Sequence, residues 1–151
     1  MPRDATLRLE AYLPYRLSVA SNRASRWVAR SYEAKFGLSI WQWRVIAVLG
    51  GAERLTAQDL ATATAMDKVT VSRAVNALIE RGLVARKKHE SDGRSAFLEL
   101  TGPGRSVYEE VAPVALQHEA DLLDGFSAEE IDQLTALLER IEKRAEDLAG
   151  D

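Results

Sequence analysis

The stretch DKVTVSRAVNALIERGLV, residues Asp67 to Val84, decides the fold of this chain. Its apolar residues recur at the three- and four-residue spacing of an amphipathic helix, and the buried face is predicted to consist of Val71, Ala74, Val75 and Leu78. Asp67 is a favourable N-cap and Gly82 a favourable terminator, so the helix is expected to lie between them. The opposite face and its flanks carry Lys68, Val69, Thr70, Ser72, Arg73 and Asn76.

Three further helices are predicted before this stretch. A long amphipathic helix with Pro14 in its first turn is expected to end at Gly37. Ser39 with Gln42 has the pattern of a capping box for the second helix. Thr56 is expected to cap a short third helix, which places a helix-turn-helix in the middle of the chain.

A hairpin and two more helices are predicted after it. The segments LVARKKH (83–89) and SAFLELT (95–101) flank ESDGR, whose Asp-Gly pair is a strong tight-turn signal. A fifth helix follows TGPGR, and Ser127 with Glu130 forms a capping box for the sixth.

This order of elements predicts a mainly α fold with a small β-wing. We expect a single domain over 1–151, with a winged helix-turn-helix lobe at 39–101 and a helical dimerisation region at 5–37 and 102–149. The outer helices have long apolar stripes and no obvious partner in so small a lobe. A second copy of the chain is therefore the expected partner.

Composition excludes several classes of protein. The 151 residues carry a net charge of -3 and include no cysteine, which excludes disulfides, thiol catalysis and cysteine-based zinc sites. No apolar run is long enough for a membrane span, and the N-terminus, MPRDATLRLE, is charged where a secretory signal would be apolar, so a cytoplasmic location is expected.

Catalysis, a cofactor and a metal site are not expected. No phosphate loop, dinucleotide fingerprint or nucleophile motif is present. The two histidines, His89 and His118, are far apart in sequence. A metal at His118 would require carboxylates from across a dimer interface, and the alternative is a buried or interfacial histidine.

Charge is distributed unevenly along the chain. Between Lys68 and Arg94, seven basic residues stand against three acidic ones, a net charge of +4. From Glu109 to Asp151, thirteen acidic residues stand against three basic ones, a net charge of -10. A basic middle with an acidic tail indicates a polyanion bound at one place, and the alternative is a solvated charge run.

The exposed face of the helix at 67–84 has the residue types that read DNA. Arginine suits guanine, asparagine suits adenine, and a small apolar group suits the thymine methyl. Arg73, Asn76 and Val69 are therefore predicted to contact bases in the major groove. The residues predicted to meet phosphates or sugars are Lys68, Thr70 and Ser72.

The hairpin is predicted to be the second element that contacts DNA, after the helix at 67–84. Its positive charge comes from Arg86, Lys87, Lys88 and Arg94, which are expected to straddle the backbone or reach a minor groove. The alternative is an ordinary amphipathic helix followed by a charged hairpin. The order of the elements and the confinement of basic charge to them favour DNA binding.

These motifs resemble the MarR family of winged-helix transcription regulators, and the resemblance covers nearly the whole chain. Its most specific part is AMDKVTVSRAVNALIERGLVARKKHESDGRSAFLELTGPG, residues 65–104. The segments LPYRLS (13–18) and FGLSIWQWRVIAVL (36–49) are also similar to family members.

The resemblance implies a homodimer whose first, fifth and sixth helices form the dimer base. Two recognition helices would then read a pseudo-palindromic operator in double-stranded DNA. In the family Arg94 corresponds to the wing residue that reaches the minor groove. Asp92 corresponds to a residue that orients the hairpin arginines, with Arg86 as its ion partner, and the alternative is a plain turn residue.

The resemblance also implies a repressor that a small aromatic or phenolic acid releases from DNA. The candidates for the ligand pocket are Arg16, Trp43 and Arg44, because an arginine among aromatic rings can pair a carboxylate and stack on a ring. The alternative is that Trp43 belongs to the core and the arginines form structural ion pairs. Some relatives carry proline and glutamate where this chain has Trp41 and Gln42, which adds an aromatic ring near the pocket entrance.

A second class of function stays open at this point. An architectural or interaction protein would use the same wing and helices without operator selectivity. The two classes differ in specificity ratio, because non-specific binding comes from phosphate contacts and weakens steeply with salt.

Overall fold

The computed structural model describes residues 6–88 and 96–150. Short 3₁₀ turns lie at Leu9–Ala11 and Ala29–Ser31. The helices and strands are α1 (Leu13–Val28), α2 (Glu33–Phe36), α3 (Ile40–Gly50), α4 (Ala57–Thr64), α5 (Lys68–Glu80), β1 (Val84–Lys88), β2 (Ala96–Leu100), α6 (Gly102–Leu122) and α7 (Ala128–Ala149). The predicted fold class, mainly α with a small β-wing, is confirmed.

The predicted helix starts are present as hydrogen-bonded caps. The Ser39 hydroxyl accepts from the Gln42 N–H at 3.2 Å, and the Gln42 side chain accepts from the Ser39 N–H at 3.2 Å. Two further reciprocal capping boxes open α4 and α7, and they consist of Thr56 with Asp59 and Ser127 with Glu130. Each box satisfies backbone donors that the first helical turn leaves free, so these starts are determined locally.

The first helix is shorter than the sequence predicts. A single helix was expected to reach Gly37, but α1 ends at Val28 and a 3₁₀ turn precedes α2. The Ser31 hydroxyl donates to the Val28 carbonyl at 2.6 Å, and Tyr32 leaves helical geometry with φ -136°. This break lets the Tyr32 ring become buried against Trp43. Gly37, at φ +62°, then ends α2.

The helix-turn-helix encloses the core. α3 contributes Val45, Ile46 and Leu49 to it, and α4 contributes Leu60, all at 0% exposure. The four residues predicted to form the buried face of α5 are each at most 5% exposed. The apolar face of α5 is therefore buried by other parts of the same chain.

The wing is an antiparallel pair in which Val84 lies opposite Leu100 and Lys88 lies opposite Ala96. Leu55 forms a bridge to Leu98, whose side chain is 1% exposed. The predicted turn of this hairpin lies outside the described residues. The buried Leu98 fixes the base of the wing on the helix-turn-helix.

One compact unit of the chain ends at His118, and a second begins at Glu119. In the first unit, the beginning of α6 packs so tightly that a Cβ on Gly104 would lie 1.9 Å from the Leu83 carbonyl oxygen. In the second unit, α7 buries no residue. No helix within residues 6–88 and 96–150 combines the length and apolar character needed to cross a membrane.

Candidate nucleic-acid interface and ligand cavity

The face of α5 opposite the core is open to solvent. Of the six side chains predicted to meet DNA, five are exposed, and Thr70 is half-buried. Val69 is 60% exposed, although its neighbour Val71 is 1% exposed. An exposed valine between exposed polar side chains is suited to contact with a thymine methyl group.

The N-terminus of α5 is capped by a carboxylate. Asp67 accepts a hydrogen bond from the Thr70 N–H at 2.8 Å and from the Thr70 hydroxyl at 2.9 Å. These bonds, the backbone one first, lower the pKa of Asp67 because they favour its charged form. The Thr70 hydroxyl thus already donates within the chain, and a phosphate contact through it would compete with Asp67.

Three of the predicted DNA-binding residues converge on one depression. Lys68 and Ser72 of α5 and Arg86 of β1 line a cavity of about 140 Å³. Two cationic groups and a hydroxyl around one small hollow can hold a phosphate oxygen. The structure therefore brings residues of α5 and of the first wing strand, β1, next to each other. From the sequence alone, only their order along the chain was known.

The wing carries one ion pair that the sequence analysis missed. Lys87 Nζ lies 2.7 Å from Glu99 Oε1 across the two strands. The hydrogen bond from Lys87 is the main cause of a lowered pKa of Glu99, and the positive charge of Arg54 adds to it. Glu99 is two residues from the register partner of Lys87, so the diagonal spacing was a usable signal.

The Lys87–Glu99 pair reduces the net positive charge that the wing was predicted to offer to DNA. Lys87 shares its charge with Glu99, and the three basic side chains of β1, Arg86, Lys87 and Lys88, are all exposed. Arg54, whose guanidinium lies 5.7 Å from the centre of the Phe97 ring, adds a cation beside the wing that was not predicted. Asp92 and Arg94 lie outside the described residues, so their roles stay predictions.

A separate cavity of about 630 Å³ lies between α1, the following turn and the start of α3. Its lining includes the guanidinium-bearing Arg26 and Arg44 and the rings of Tyr32 and Trp41. The remaining lining residues are Ser21, Asn22, Ser25, Ala29, Glu33, Leu38, Ser39 and Ile40. Burial, followed by the charge of Glu33, raises the pKa of Tyr32, and Arg44 acts in the opposite direction.

Of the three predicted ligand-pocket residues, Arg44 lines this cavity, and Arg16 and Trp43 do not. Trp43 packs on the core, with its ring centre 5.8 Å from that of Tyr32 and 6.5 Å from that of Tyr108. Arg16 is exposed on α1. Arg26 was missed, although it continues a polar stripe on α1 at helical spacing from Asn22.

His118 lies against Trp27. The Trp27 indole N–H donates to the His118 carbonyl at 3.0 Å, and the two ring centres are 5.2 Å apart. The Nδ1 atom of His118 is buried without a hydrogen-bond partner in the structure. Within the described ranges, no three histidine or carboxylate side chains come close enough together to hold a metal ion.

Sequence comparison shows which family of proteins is similar to the segment that contains the helix-turn-helix and the first strand of the wing. A profile of the MarR family matches residues 36–95, which include α3, α4, α5 and β1. Over this part, the chain is similar to the MarR family of transcriptional regulators. The homoprotocatechuate degradative operon repressor of Escherichia coli is 27% identical over 121 residues, which cover 78% of this chain and 82% of the repressor.

Solved structures extend the likeness to nearly the whole length of the chain. A MarR/EmrR family transcriptional regulator from Acinetobacter sp. ADP1 is 28% identical with a TM-score of 0.85, covering 93% of this chain and 99% of that protein. NadR, solved in complex with 4-hydroxyphenylacetate, is 25% identical with a TM-score of 0.75, covering 93% and 97%. Such relatives are transcriptional regulators, and the prediction of a regulator rather than an enzyme is confirmed.

Proposed function

We propose that this MarR-family regulator is a homodimeric repressor that binds a pseudo-palindromic operator and leaves it when an aromatic acid binds. The observation that carries the proposal is the division of α5. Four apolar residues hold it on the scaffold, each at most 5% exposed, and Arg73, Asn76 and Val69 are exposed together on the other side. A helix anchored in this way can present these side chains to base edges. Action on chromosomal DNA places the proposed regulator in the cytoplasm.

The apolar face of α7 supports a homodimer. Its large apolar side chains are 37–60% exposed, and they include Leu134, Leu137, Leu138, Ile141 and Leu148. A contiguous apolar stripe of this size is unfavourable in water and marks an interface. A second copy of the chain would cover it and would place two recognition helices on the two halves of a palindrome.

The chemistry of the 630 Å³ cavity supports an aromatic acid as the effector. The Arg26 and Arg44 guanidinium groups can pair a carboxylate, and the Tyr32 and Trp41 rings can contact an aromatic ring. The volume lies within the range of small-molecule sites. Two relatives point the same way, since NadR was solved with 4-hydroxyphenylacetate and the Escherichia coli repressor acts on a homoprotocatechuate degradative operon.

Fluorescence anisotropy tests the DNA part of the proposal. The protein is titrated against labelled DNA from upstream of its own gene and against a scrambled duplex, at several salt concentrations. Arg73→Ala should lower the preference for the native DNA by about tenfold or more, because it removes a base contact. Lys88→Ala is the control and should weaken binding to both duplexes equally. Equal, salt-sensitive binding of the unaltered protein to both duplexes would favour the architectural alternative.

The same assay tests the effector. 4-Hydroxyphenylacetate, salicylate and benzoate are added to the preformed complex, and binding to the free protein is measured by calorimetry. Arg26→Ala should weaken the binding of the active compound, because a carboxylate partner is lost. Full affinity in Arg26→Ala would remove this residue from the proposed site.

A further inference from the structure

Trp41 lines two separate cavities of the molecule. It lines the 630 Å³ ligand cavity, and it also lines a cleft of about 320 Å³ between the start of α3 and the recognition helix. The cleft is completed by Ser39, Gln42, Thr70, Arg73 and Ala74. Trp41 is thus part of the wall between the proposed effector site and a residue proposed to read bases.

The Trp41 ring is weakly held in its present position. It is 45% exposed, and its indole N–H donates no hydrogen bond within residues 6–88 and 96–150. Its one specific polar contact there is with Arg44, whose guanidinium carbon lies 5.4 Å from the ring centre. A cation–π contact at an exposed site is weak, so another partner of Arg44 can displace it.

A carboxylate in the ligand cavity would be such a partner. A guanidinium–carboxylate pair is charge-assisted and can be bidentate, so it is stronger than the contact of Arg44 with an exposed ring. An aromatic ligand would also occupy space on the cavity side of Trp41. The indole also borders the 320 Å³ cleft, whose lining includes Arg73.

We propose that Trp41 couples the ligand cavity to the recognition helix by transferring its ring from Arg44 to Arg73. In the free protein Arg44 holds the ring, the cleft is open, and Arg73 is available to DNA. In the liganded protein the ring enters the cleft and stacks on the Arg73 guanidinium, which is then withdrawn from its base. The ligand step rests on the proposed function, whereas the restraint of Trp41 by Arg44 does not.

A mutant cycle without any ligand tests the restraint. Operator affinity is measured for the unaltered protein, Arg44→Ala, Trp41→Leu and the double variant. Arg44→Ala should weaken operator binding about fivefold or more, because the released ring can enter the cleft, and the double variant should recover most of this loss. Arg23→Ala removes the same charge from an exposed position of α1 that does not line the cavity, and it should change operator affinity less than about twofold.

Either of two results would overturn the proposal. One is a loss of operator affinity in Arg44→Ala that Trp41→Leu does not reverse, and the other is an equal loss in Arg23→Ala. Thermal melting by circular dichroism checks the fold of each variant. If Trp41→Leu fails to fold, Trp41→Gln also lacks the ring and must give the same rescue.

A second measurement separates this proposal from the effector proposal. The operator Kd is measured with and without saturating 4-hydroxyphenylacetate, salicylate or benzoate. The ratio of the two values should be large for the unaltered protein and should fall about tenfold in Trp41→Leu. An unchanged ratio in Trp41→Leu overturns the coupling role alone. Failure of the unaltered protein to bind any of the three compounds overturns the effector, while the mutant cycle still decides whether Arg44 restrains the ring.

Discussion

α5 and α7 are both amphipathic helices with a side-chain cap at their first turn, yet they end in different environments. α5 has 13 residues and buries four apolar side chains against its own lobe. α7 has 22 residues and buries none, although its apolar residues recur as regularly. The same amphipathic pattern is thus buried within the chain in α5 and exposed in α7. Periodicity indicates that an apolar face needs to be covered, but it does not identify the surface that covers it.

The difference has a physical cause in the neighbourhood of each helix. α5 lies between α4 and β1 in sequence, and it packs on α3, α4 and β1 in space, so the cover for its apolar face is nearby. Within its own compact unit, α7 has only the end of α6 and a short connection.

The largest effect is expected from truncating the buried face of α5. Leu78 is 0% exposed, so Leu78→Ala should lower the free energy of unfolding by about 3 kcal/mol through lost burial and a cavity. Leu134→Ala on α7, where the leucine is 47% exposed, is the matched control. Urea denaturation at several protein concentrations should show a concentration-dependent loss for Leu134→Ala alone. The contrast fails if both losses are concentration-independent and equal.

A charge on the apolar face of α7 should separate the proposed dimer. Ile141→Asp should give monomers in sedimentation velocity and should weaken operator binding by about 100-fold, because the two half-sites are then no longer bound together. Ala136→Asp adds the same charge on the opposite side of α7 and should leave the dimer intact. A dimer that survives Ile141→Asp with full operator affinity would exclude this face as the interface.

The smallest effect concerns the caps and depends on pH. Asp67 is charged and its pKa is lowered by folding, so its contribution to stability is present above the ordinary pKa of an aspartate. It is lost as the pH falls through the lowered value. Asp67→Asn should therefore be slightly less stable at neutral pH and equal to the unaltered protein in strong acid.

Chemical denaturation across the acid range provides the check on this cap. The box that opens α3 consists of Ser39 and Gln42, neither of which titrates, so Ser39→Ala should cost about the same stability at every pH. A stability difference between Asp67→Asn and the unaltered protein that does not shrink in acid would show that the carboxylate charge at Asp67 is not what stabilises the cap.

Much of the fold could be predicted from the sequence because its signals are local. A cap such as Ser39, Thr56 or Ser127 bonds a backbone group three residues away, so a few residues of sequence determine where the helix begins. The two faces of α5 likewise follow from a fixed helical period. The exposed set from Lys68 to Asn76 could therefore be selected from residue spacing alone.

The residues that line the candidate ligand cavity could be predicted only in part from the sequence. Arg44 was selected and lines the cavity, whereas Trp43, two residues after Trp41 on the same helix, faces the aromatic rings of the core. Both tryptophans lie at the start of α3. Their separation depends on where Tyr32 and Tyr108 pack, and these are contacts between distant parts of the chain.

By itself, the sequence determined the order of the elements, the caps, the two faces of α5 and the basic character of the wing, because each follows from backbone hydrogen bonding and periodicity over a few residues. Only the tertiary structure decided that the first helix ends at Val28, that Lys87 pairs with Glu99, and that Arg26 and Trp41 line the cavity with Arg44. These features depend on side chains that become neighbours when the chain packs, and packing is a property of the whole lobe.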